Sequence, residues 1–440
     1  MKTNSTIRVV AFLAAFSPAL LTAHDYTPGE SQKSPVLLKG GNVFTISGPM
    51  QTGVDLLFEK GRISAIGKNL QPPANAEIVD VTGMNVYPGL IAAYTSLGLT
   101  EIGAVRATND ATEVGAVTPE VSSLIAYNPD SELLPSVRSN GITTVQVVPD
   151  GGLVRGQSGI IHLDGWTRED ASVRAVDGMH LTWPRSSIIT AWWMSQTPEE
   201  QKKEMAKRRK ELRKLFDEAR AYMHARAADP STDIDLRWQA MIPVLKKELP
   251  LFIHANDFRQ IQESVEFAEK QDIRMILVGG GEATMLADLL RDKNIPVIFG
   301  PAFGLPVRIA DRYDSQNRVP SELKKAGVKF CIAQGARRSS PASWTSRNLP
   351  FQAGTAVTHG LSKEDALRAI TLSVAEILGI DDNFGSLDIG KSATIIVSEG
   401  DIMDHLTHNV THMWIDGRQV DLDNRHKELY RKYQQKQFAR

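Results

Sequence analysis

The sequence predicts an α/β chain with a small all-β unit shared between its two ends. Three observations carry this reading. Short alternating segments with turn punctuation fill residues 35–86, a matching pair of strand-like segments recurs within residues 385–424, and apolar runs of strand length alternate with helical spacing between them. Repetition of strand and helix over about 300 residues suits a (β/α)8 barrel, since no Gly-rich dinucleotide turn follows the early strands. Periodicity alone leaves a doubly wound parallel sheet open as the alternative.

Taken in order, the first residues read as an export signal. Lys2 and Arg8 precede an apolar stretch from Val9 to Ala23, interrupted by Ser17 and Pro18, too short and too broken to span a bilayer. Residues 1–23 are expected to be removed, and no cysteine nearby offers a lipid attachment point. The expected location is periplasmic or secreted, with no membrane insertion after signal removal. From Leu37 to Val81 five short strands are expected, separated by Gly40-Gly41, Glu59-Lys60-Gly61 and similar turns. Ala393 to Val397 and Met413 to Val420, the latter around Asp416-Gly417, read as strands of the same unit.

Within residues 87–384 the runs Thr144 to Val148, Gly159 to Leu163, Leu251 to His254, Met275 to Val278, Val297 to Phe299 and Val328 to Ala333 have the character of buried parallel strands. Phe258, Ile261, Val265 and Ala268 recur at helical spacing, as do Leu286, Leu289 and Leu290. Ser362 and Asp365 form a capping box for one helix carrying Leu367, Ile370, Val374 and Ile377. From Thr197 to about Arg226 a long amphipathic helix is expected, with Met205, Leu212, Phe216, Ala219 and Met223 as its seam and interleaved charges elsewhere. Residues 425–440 read as a charged terminal helix.

Composition narrows the function. With 50 Lys+Arg against 51 Asp+Glu, a net charge of -1 offers no footprint for nucleic acid. The single cysteine, Cys331, excludes an intrachain disulfide and the thiolate-rich zinc sites. Gly385 to Ser392 satisfies the P-loop expression, yet a β run follows where a phosphate-binding helix N-terminus is needed, so that reading is rejected. No Gly-x-Ser-x-Gly elbow exists, and Gly156-Gln157-Ser158-Gly159 lacks its spacing.

The segments beginning at Asn85 (NVYPGLIAAYTSLGL), Ala356 (AVTHGLSKEDALRAITLSVAEILGI), Phe384 (FGSLDIGKSATIIV) and Val410 (VTHMWIDGRQV) resemble the amidohydrolase superfamily, in the branch near imidazolonepropionase. The resemblance implies a metal-type (β/α)8 barrel, with a β-sandwich built from both chain ends. It also implies one or two divalent ions that activate water, bound by a His-x-His pair after strand one and by residues of strands four, five, six and eight. This sequence departs from that pattern. Tyr94 and Ser96 stand in the places of the first two histidines, Gly279 in that of the strand-six histidine, and Gln334 or Gly335 in that of the strand-eight aspartate. His254 in the strand-five segment is retained, and the strand-four residue has no clear counterpart. Neutral Tyr, Ser and Gln are weak zinc donors, so no metal cofactor is expected, although a divalent ion such as zinc is what the resemblance alone would imply.

A replacement site is sought in the loop after strand one. Asp110 and Glu113, with His254, are the candidate catalytic residues, the carboxylates acting as acid and base if burial separates their pKa values. Glu101, Arg106, Glu282 and Gln334 are candidate substrate-binding residues; simple pairing of Arg106 with a neighbouring carboxylate is the ordinary alternative. Trp166, Trp183, Trp192 and Trp193 could line a cleft or pack a core, and Arg337 and Arg338 could hold a carboxylate. Two functions fit: a hydrolase of non-peptide carbon–nitrogen bonds of the cyclic-amide type, or a catalytically inactive barrel that binds a small ligand or partner protein. A third, an interaction subunit for a catalytic paralogue, would use the helix from Thr197 or the tail Arg425 to Arg440. The chain is also compatible with a homo-oligomer.

Overall fold

The computed structural model describes residues 27–306, 308–336 and 342–438. The expected signal, residues 1–23, and the pair Arg337 and Arg338 lie outside the described residues. Two eight-stranded sheets organise the rest. The first takes β1 (Val36–Val43), β2 (Gln51–Glu59), β3 (Arg62–Gly67), β4 (Glu77–Asp80) and β5 (Asn85–Pro88) from the early chain. The second comprises β6 (Leu90–Thr95), β7 (Ile142–Val147), β8 (Val154–His162), β9 (Ser172–Thr182), β10 (Leu251–Ala255), β11 (Met275–Gly279), β12 (Val297–Phe299) and β13 (Phe330–Ile332). The chain then returns to the first sheet with β14 (Ile395–Ser398), β15 (Val410–Ile415) and β16 (Arg418–Gln419).

Antiparallel pairing of β5 with β14, Pro88 opposite Ile395 and Asn85 opposite Ser398, is the seam that joins the two chain ends. Leu56, Phe58, Ile63, Val86, Ile395 and Trp414 pack beneath it as one core, so both ends contribute apolar side chains to the same layer. Lys391 donates to the Asp381 carbonyl (2.6 Å) and to Ser386 Oγ (2.7 Å), giving the P-loop-like segment a structural use in a loop before β14.

The second sheet curves into a nearly closed barrel in strand order. Side chains alternate across its wall. Phe252, Ile276, Val278 and Ile298 pack with Ile91 and Ile160 on one side, and Ile253, Leu277 and Val297 pack with the helical residues Ile261, Val265 and Leu290 on the other. That alternation is why the strands read as continuous apolar runs.

Two details differ from expectation. In a (β/α)8 barrel every strand is parallel, whereas β8 runs antiparallel to both β7 and β9. Only residues 148–153 connect β7 to β8, and a link of that length turns a hairpin but cannot make a crossover. Ser362 caps a helix, its Oγ accepting from Asp365 N–H at 3.0 Å, but without the reciprocal bond of the expected capping box, and that helix, Lys363–Arg368, stops before a second, Leu372–Leu378. The break closes the barrel: the Ala369 carbonyl accepts from Ile332 N–H of β13 (2.9 Å) and the Ile370 carbonyl from Ile91 N–H of β6 (3.0 Å). Carbonyls engaged with two strands no longer serve the next helical turn.

The long helix Pro198–Ala228 begins with a capping box between Thr197 and Glu200 and buries Leu212, Leu215, Phe216 and Ala219. Met205 and Met223 of the expected seam are only half-buried. The helix Arg425–Phe438 closes the described chain.

Candidate active site

The C-terminal ends of β6, β9 and β10, together with the start of the antiparallel β8, bring one cluster of polar side chains together inside the barrel. Tyr94 is buried near the end of β6 in a left-handed conformation, φ 57°, where a non-glycine residue is strained. Its N–H donates to Gln146 Oε1 of β7 at 3.2 Å, which compensates for the break in β6–β7 register there. Arg155, at the start of β8, donates from Nη1 to Tyr94 Oη (3.0 Å) and from Nε to Thr182 Oγ1 (2.8 Å), and stands 3.4 Å from Asp150 Oδ1. A guanidinium thus lies within the barrel wall, 5% exposed.

Next to it, His180 of β9 and His254 of β10 are buried and joined, Nδ1 of His180 lying 2.9 Å from Nε2 of His254. The His180 ring stacks on Phe252, centroids 4.6 Å apart and planes 5° from parallel. Gly178 makes room for that ring, since a Cβ there would overlap the Phe252 edge. The Tyr94 ring centroid is 4.9 Å from that of His254. Burial, reinforced by the Arg155 charge, holds both imidazoles well below the usual histidine range, so they are neutral at pH 7. Burial also raises the Tyr94 hydroxyl, which stays protonated.

The polar cluster continues inward. His180 Nε2 lies 2.8 Å from Ser158 Oγ, Ser158 Oγ donates to Asp177 Oδ1 at 2.5 Å, and Gln146 Nε2 donates to Asp177 Oδ2 at 2.7 Å. Burial pushes the Asp177 carboxyl up to about 6 against these hydrogen bonds. At the outer end, His254 Nδ1 is buried with no partner among the described residues. Such an atom costs stability unless a bound molecule completes it.

The other candidates fall in different places. Asp110 and Glu113 are exposed on the loop after β6; Glu113 accepts from Val114 N–H at 2.7 Å, and neither carboxylate is hydrogen-bonded to His254. Their loop does reach the cluster at one remove, because Asp150 N–H donates to the Ala111 carbonyl (2.6 Å). Arg106 is exposed in a short 3-10 turn. Glu101 Oε1 and Gln334 Oε1 are buried and, among the described residues, unpartnered. Glu282 accepts from Phe258 N–H (2.7 Å) and from Arg308 Nε (2.5 Å) and Nη2 (2.9 Å). Burial pushes the Glu282 carboxyl up, but Arg308 and the Phe258 N–H together hold it below the usual range. Gly279 has φ 106°, and a Cβ there would overlap Asn256 Oδ1.

A cavity of about 740 Å³ adjoins the cluster, lined by Leu153, Thr182, Trp183, Arg185 and Arg208 among others. Trp183 is buried on its wall and donates to Glu263 (3.1 Å), while Trp166, Trp192 and Trp193 are exposed. Arg155, Ser158, Asp177 and His180 are the members that sequence reasoning missed. The available signal was polar residues at alternate positions within otherwise apolar strands, such as His180 and Thr182 flanking Leu181.

Comparison with known proteins agrees with this architecture. A dihydroorotase of Geotalea daltonii is 42% identical over 62 residues, 14% of this chain and 15% of that protein. A D-phenylhydantoinase of Escherichia coli is 35% identical over 75 residues, 17% of this chain and 16% of that protein. The matched parts therefore span about a sixth of those relatives' length. Among solved structures, an amidohydrolase from Thermotoga maritima superposes with a TM-score of 0.76 at 27% identity, over 88% of this chain and 99% of that one. An adenosine deaminase from Xanthomonas campestris with bound zinc has the same fold at a TM-score of 0.51 and 16% identity, over 92% and 98%. The model of the amidohydrolase family matches residues 139–420, more than half of the sequence, and the chain belongs to that family.

Proposed function

We propose that the chain is a hydrolase of a non-peptide carbon–nitrogen bond of the cyclic-amide type, related to the imidazolonepropionase-like branch, and that its site works without the family's divalent ion. The observation that carries this reading is the unpartnered Nδ1 of neutral, buried His254 beside the Tyr94 hydroxyl and Arg155. A base and a hydrogen-bond donor side by side are what water addition to a carbonyl requires.

The donors present do not fit a divalent ion. Tyr94 and Ser96 replace the paired histidines, and Gly279 has Asn256 packed where a side chain would start. His180 and His254 spend two of their four ring nitrogens on each other. No group of three or more His, Cys, Asp or Glu side chains among the described residues is arranged to hold a metal. Arg155, a permanent cation in contact with Tyr94, would repel one. The same guanidinium gives the site a fixed positive charge from the protein itself.

In this reading a water on His254 Nδ1 loses its proton as its oxygen adds to the ring carbonyl. Tyr94 Oη accepts from Arg155, so its own proton is free to meet the developing oxyanion; one such donor is worth about 3 kcal/mol. Asp110 and Glu113, on the loop bonded to Asp150, face the polar periphery of the substrate, with Glu101 and Gln334 offering buried acceptors. The mixed sheet of both chain ends corresponds to the family's β-sandwich, and the apolar start of the chain to an export signal for periplasm or secretion.

The test is ring opening of hydantoin, dihydropyrimidine and imidazolone substrates by chelator-treated protein, with metal measured by elemental mass spectrometry. Opening that survives chelation and disappears in His254→Ala supports the proposal. About one metal ion per chain, lost in that variant, refutes the metal-free site. If no ring opens, the inactive ligand-binding barrel becomes the better reading.

A further inference from the structure

Short hydrogen bonds inside the barrel form a line from Asp177 through Ser158 and His180 to His254, with longer side contacts from Ser158 Oγ to Gln146 Nε2 (3.4 Å) and the Gly178 carbonyl (3.5 Å). We propose that this line is a proton relay, in which Asp177 sets the protonation of His254 Nδ1 from the opposite end of the barrel. The proposal rests on the hydrolase reading for its use, but its geometry is independent of any substrate.

Hydrogen-bond polarity fixes the direction of each bond in the line. A carboxylate only accepts, so with Asp177 ionised the Ser158 hydroxyl, 2.5 Å from Oδ1, donates to it, and its oxygen must accept from His180 Nε2–H. A neutral imidazole carries one proton, so His180 Nδ1 is bare and accepts from His254 Nε2–H. That leaves His254 Nδ1 bare as well, at the atom with no partner among the described residues. The carboxylate thereby prepares a base three residues away.

When water gives its proton to His254 Nδ1, the Nε2 proton passes to His180 Nδ1, the His180 Nε2 proton to Ser158 Oγ, and the Ser158 proton to Asp177 Oδ1. Charge disappears at Asp177, and no imidazolium forms in a buried site already occupied by Arg155. The same steps in reverse return the proton to the departing ring nitrogen, so the hydrolysis balances. His254 is the catalytic residue; Asp177, Ser158 and His180 act through it. Asp177 also lines a cavity of about 740 Å³ at the N-terminal ends of the barrel strands, facing Arg174, Glu248, Arg274, Lys329 and Glu376. The charged groups nearest the other end are Arg155 and, behind it, Asp150.

The test is long-range proton–nitrogen NMR of the full mature protein labelled at histidine nitrogen, at pH 8, with His254 assigned from His254→Ala. Wild type should show His254 protonated at Nε2 and bare at Nδ1. Asp177→Asn should reverse this. Gln146 Nε2 already donates at the Oδ2 position, so the Asn amide nitrogen turns to Ser158 and donates, and every hydrogen bond in the line flips. The double variant Asp177→Asn/Ser158→Ala should not reverse, because the line is cut. A wild-type His254 protonated at Nδ1, the same tautomer in Asp177→Asn, or reversal in the double variant would each overturn the relay. The wild-type spectrum tests the orientation even if a variant fails to fold. Reversal without ring opening of any cyclic amide leaves the relay and removes the hydrolase reading; ring opening without reversal does the opposite.

Discussion

Asp177→Asn should stabilise the protein at neutral pH and do so less as the medium is acidified. Asp177 is 3% exposed, and burial moves its carboxyl from the ordinary aspartate value of 3.8 to about 6. Below pH 3.8 both folded and unfolded chains hold the proton, and the group contributes nothing. As pH rises from 3.8 to 6 the unfolded chain releases the proton while the folded chain keeps it, so the native state loses stability across that window. At about 1.4 kcal/mol per pH unit the loss reaches about 3 kcal/mol above pH 6. An asparagine carries no such penalty. At about 1–2 °C per kcal/mol for a chain of this length, the melting temperature of Asp177→Asn relative to wild type should rise by about 3–6 °C between pH 4 and pH 7. Differential scanning calorimetry of both proteins across that range is the assay, and every other titrating group cancels in the difference. A difference that stays constant, or shrinks toward pH 7, would refute the assignment of a buried, destabilised carboxylate at this position.

The remaining expectations concern the neighbours of this line. His254→Ala should reduce ring opening by about 100-fold or more, the range of a lost general base, and should also lower the melting temperature, since it empties a buried position and leaves His180 Nδ1 without its partner; retained activity would remove His254 from the site. Asp110→Asn in the same kinetic assay should raise KM with kcat little changed, and an unchanged KM would take the loop carboxylates out of substrate contact. Gly178→Ala should cost about 1–3 kcal/mol through overlap with the Phe252 ring, read as a lowered melting temperature together with weakened stacking shifts at His180. Arg155→Met should destabilise the protein by about 3 kcal/mol, because it leaves Asp150 facing the barrel wall without its ion pair; an unchanged thermal midpoint would show that pair to be solvated.

The sequence made the barrel legible where its strands are buried on both faces. Leu251 to His254, Met275 to Val278 and Val297 to Phe299 are apolar without interruption, and each is a strand of the barrel. The strand Ser172–Thr182 escaped notice because its first half, through Arg174 and Asp177, is polar. The Ser362 helix was legible at its start but not at its break, since a carbonyl's commitment to a strand 37 or 279 residues away leaves no local mark.

The site was legible only at His254, which sits in a segment similar to its family. Its partners are 74, 22 and 19 residues apart along the line from His254 to Asp177, and each is a single polar residue in a strand. Pairing of β9 with β8 and with β10, not sequence proximity, makes them neighbours. A buried aspartate that weakens the native state above pH 4, a tyrosine held at positive φ and a histidine nitrogen left bare are each unfavourable alone. Stability does not account for three such costs converging on one barrel interior, where apolar side chains at Asp177 and His254 and a glycine at Tyr94 would relieve them. A reaction that needs a neutral base beside a polarised donor accounts for all three, since the base must be bare, the donor must be turned toward the carbonyl, and the proton must have somewhere to go.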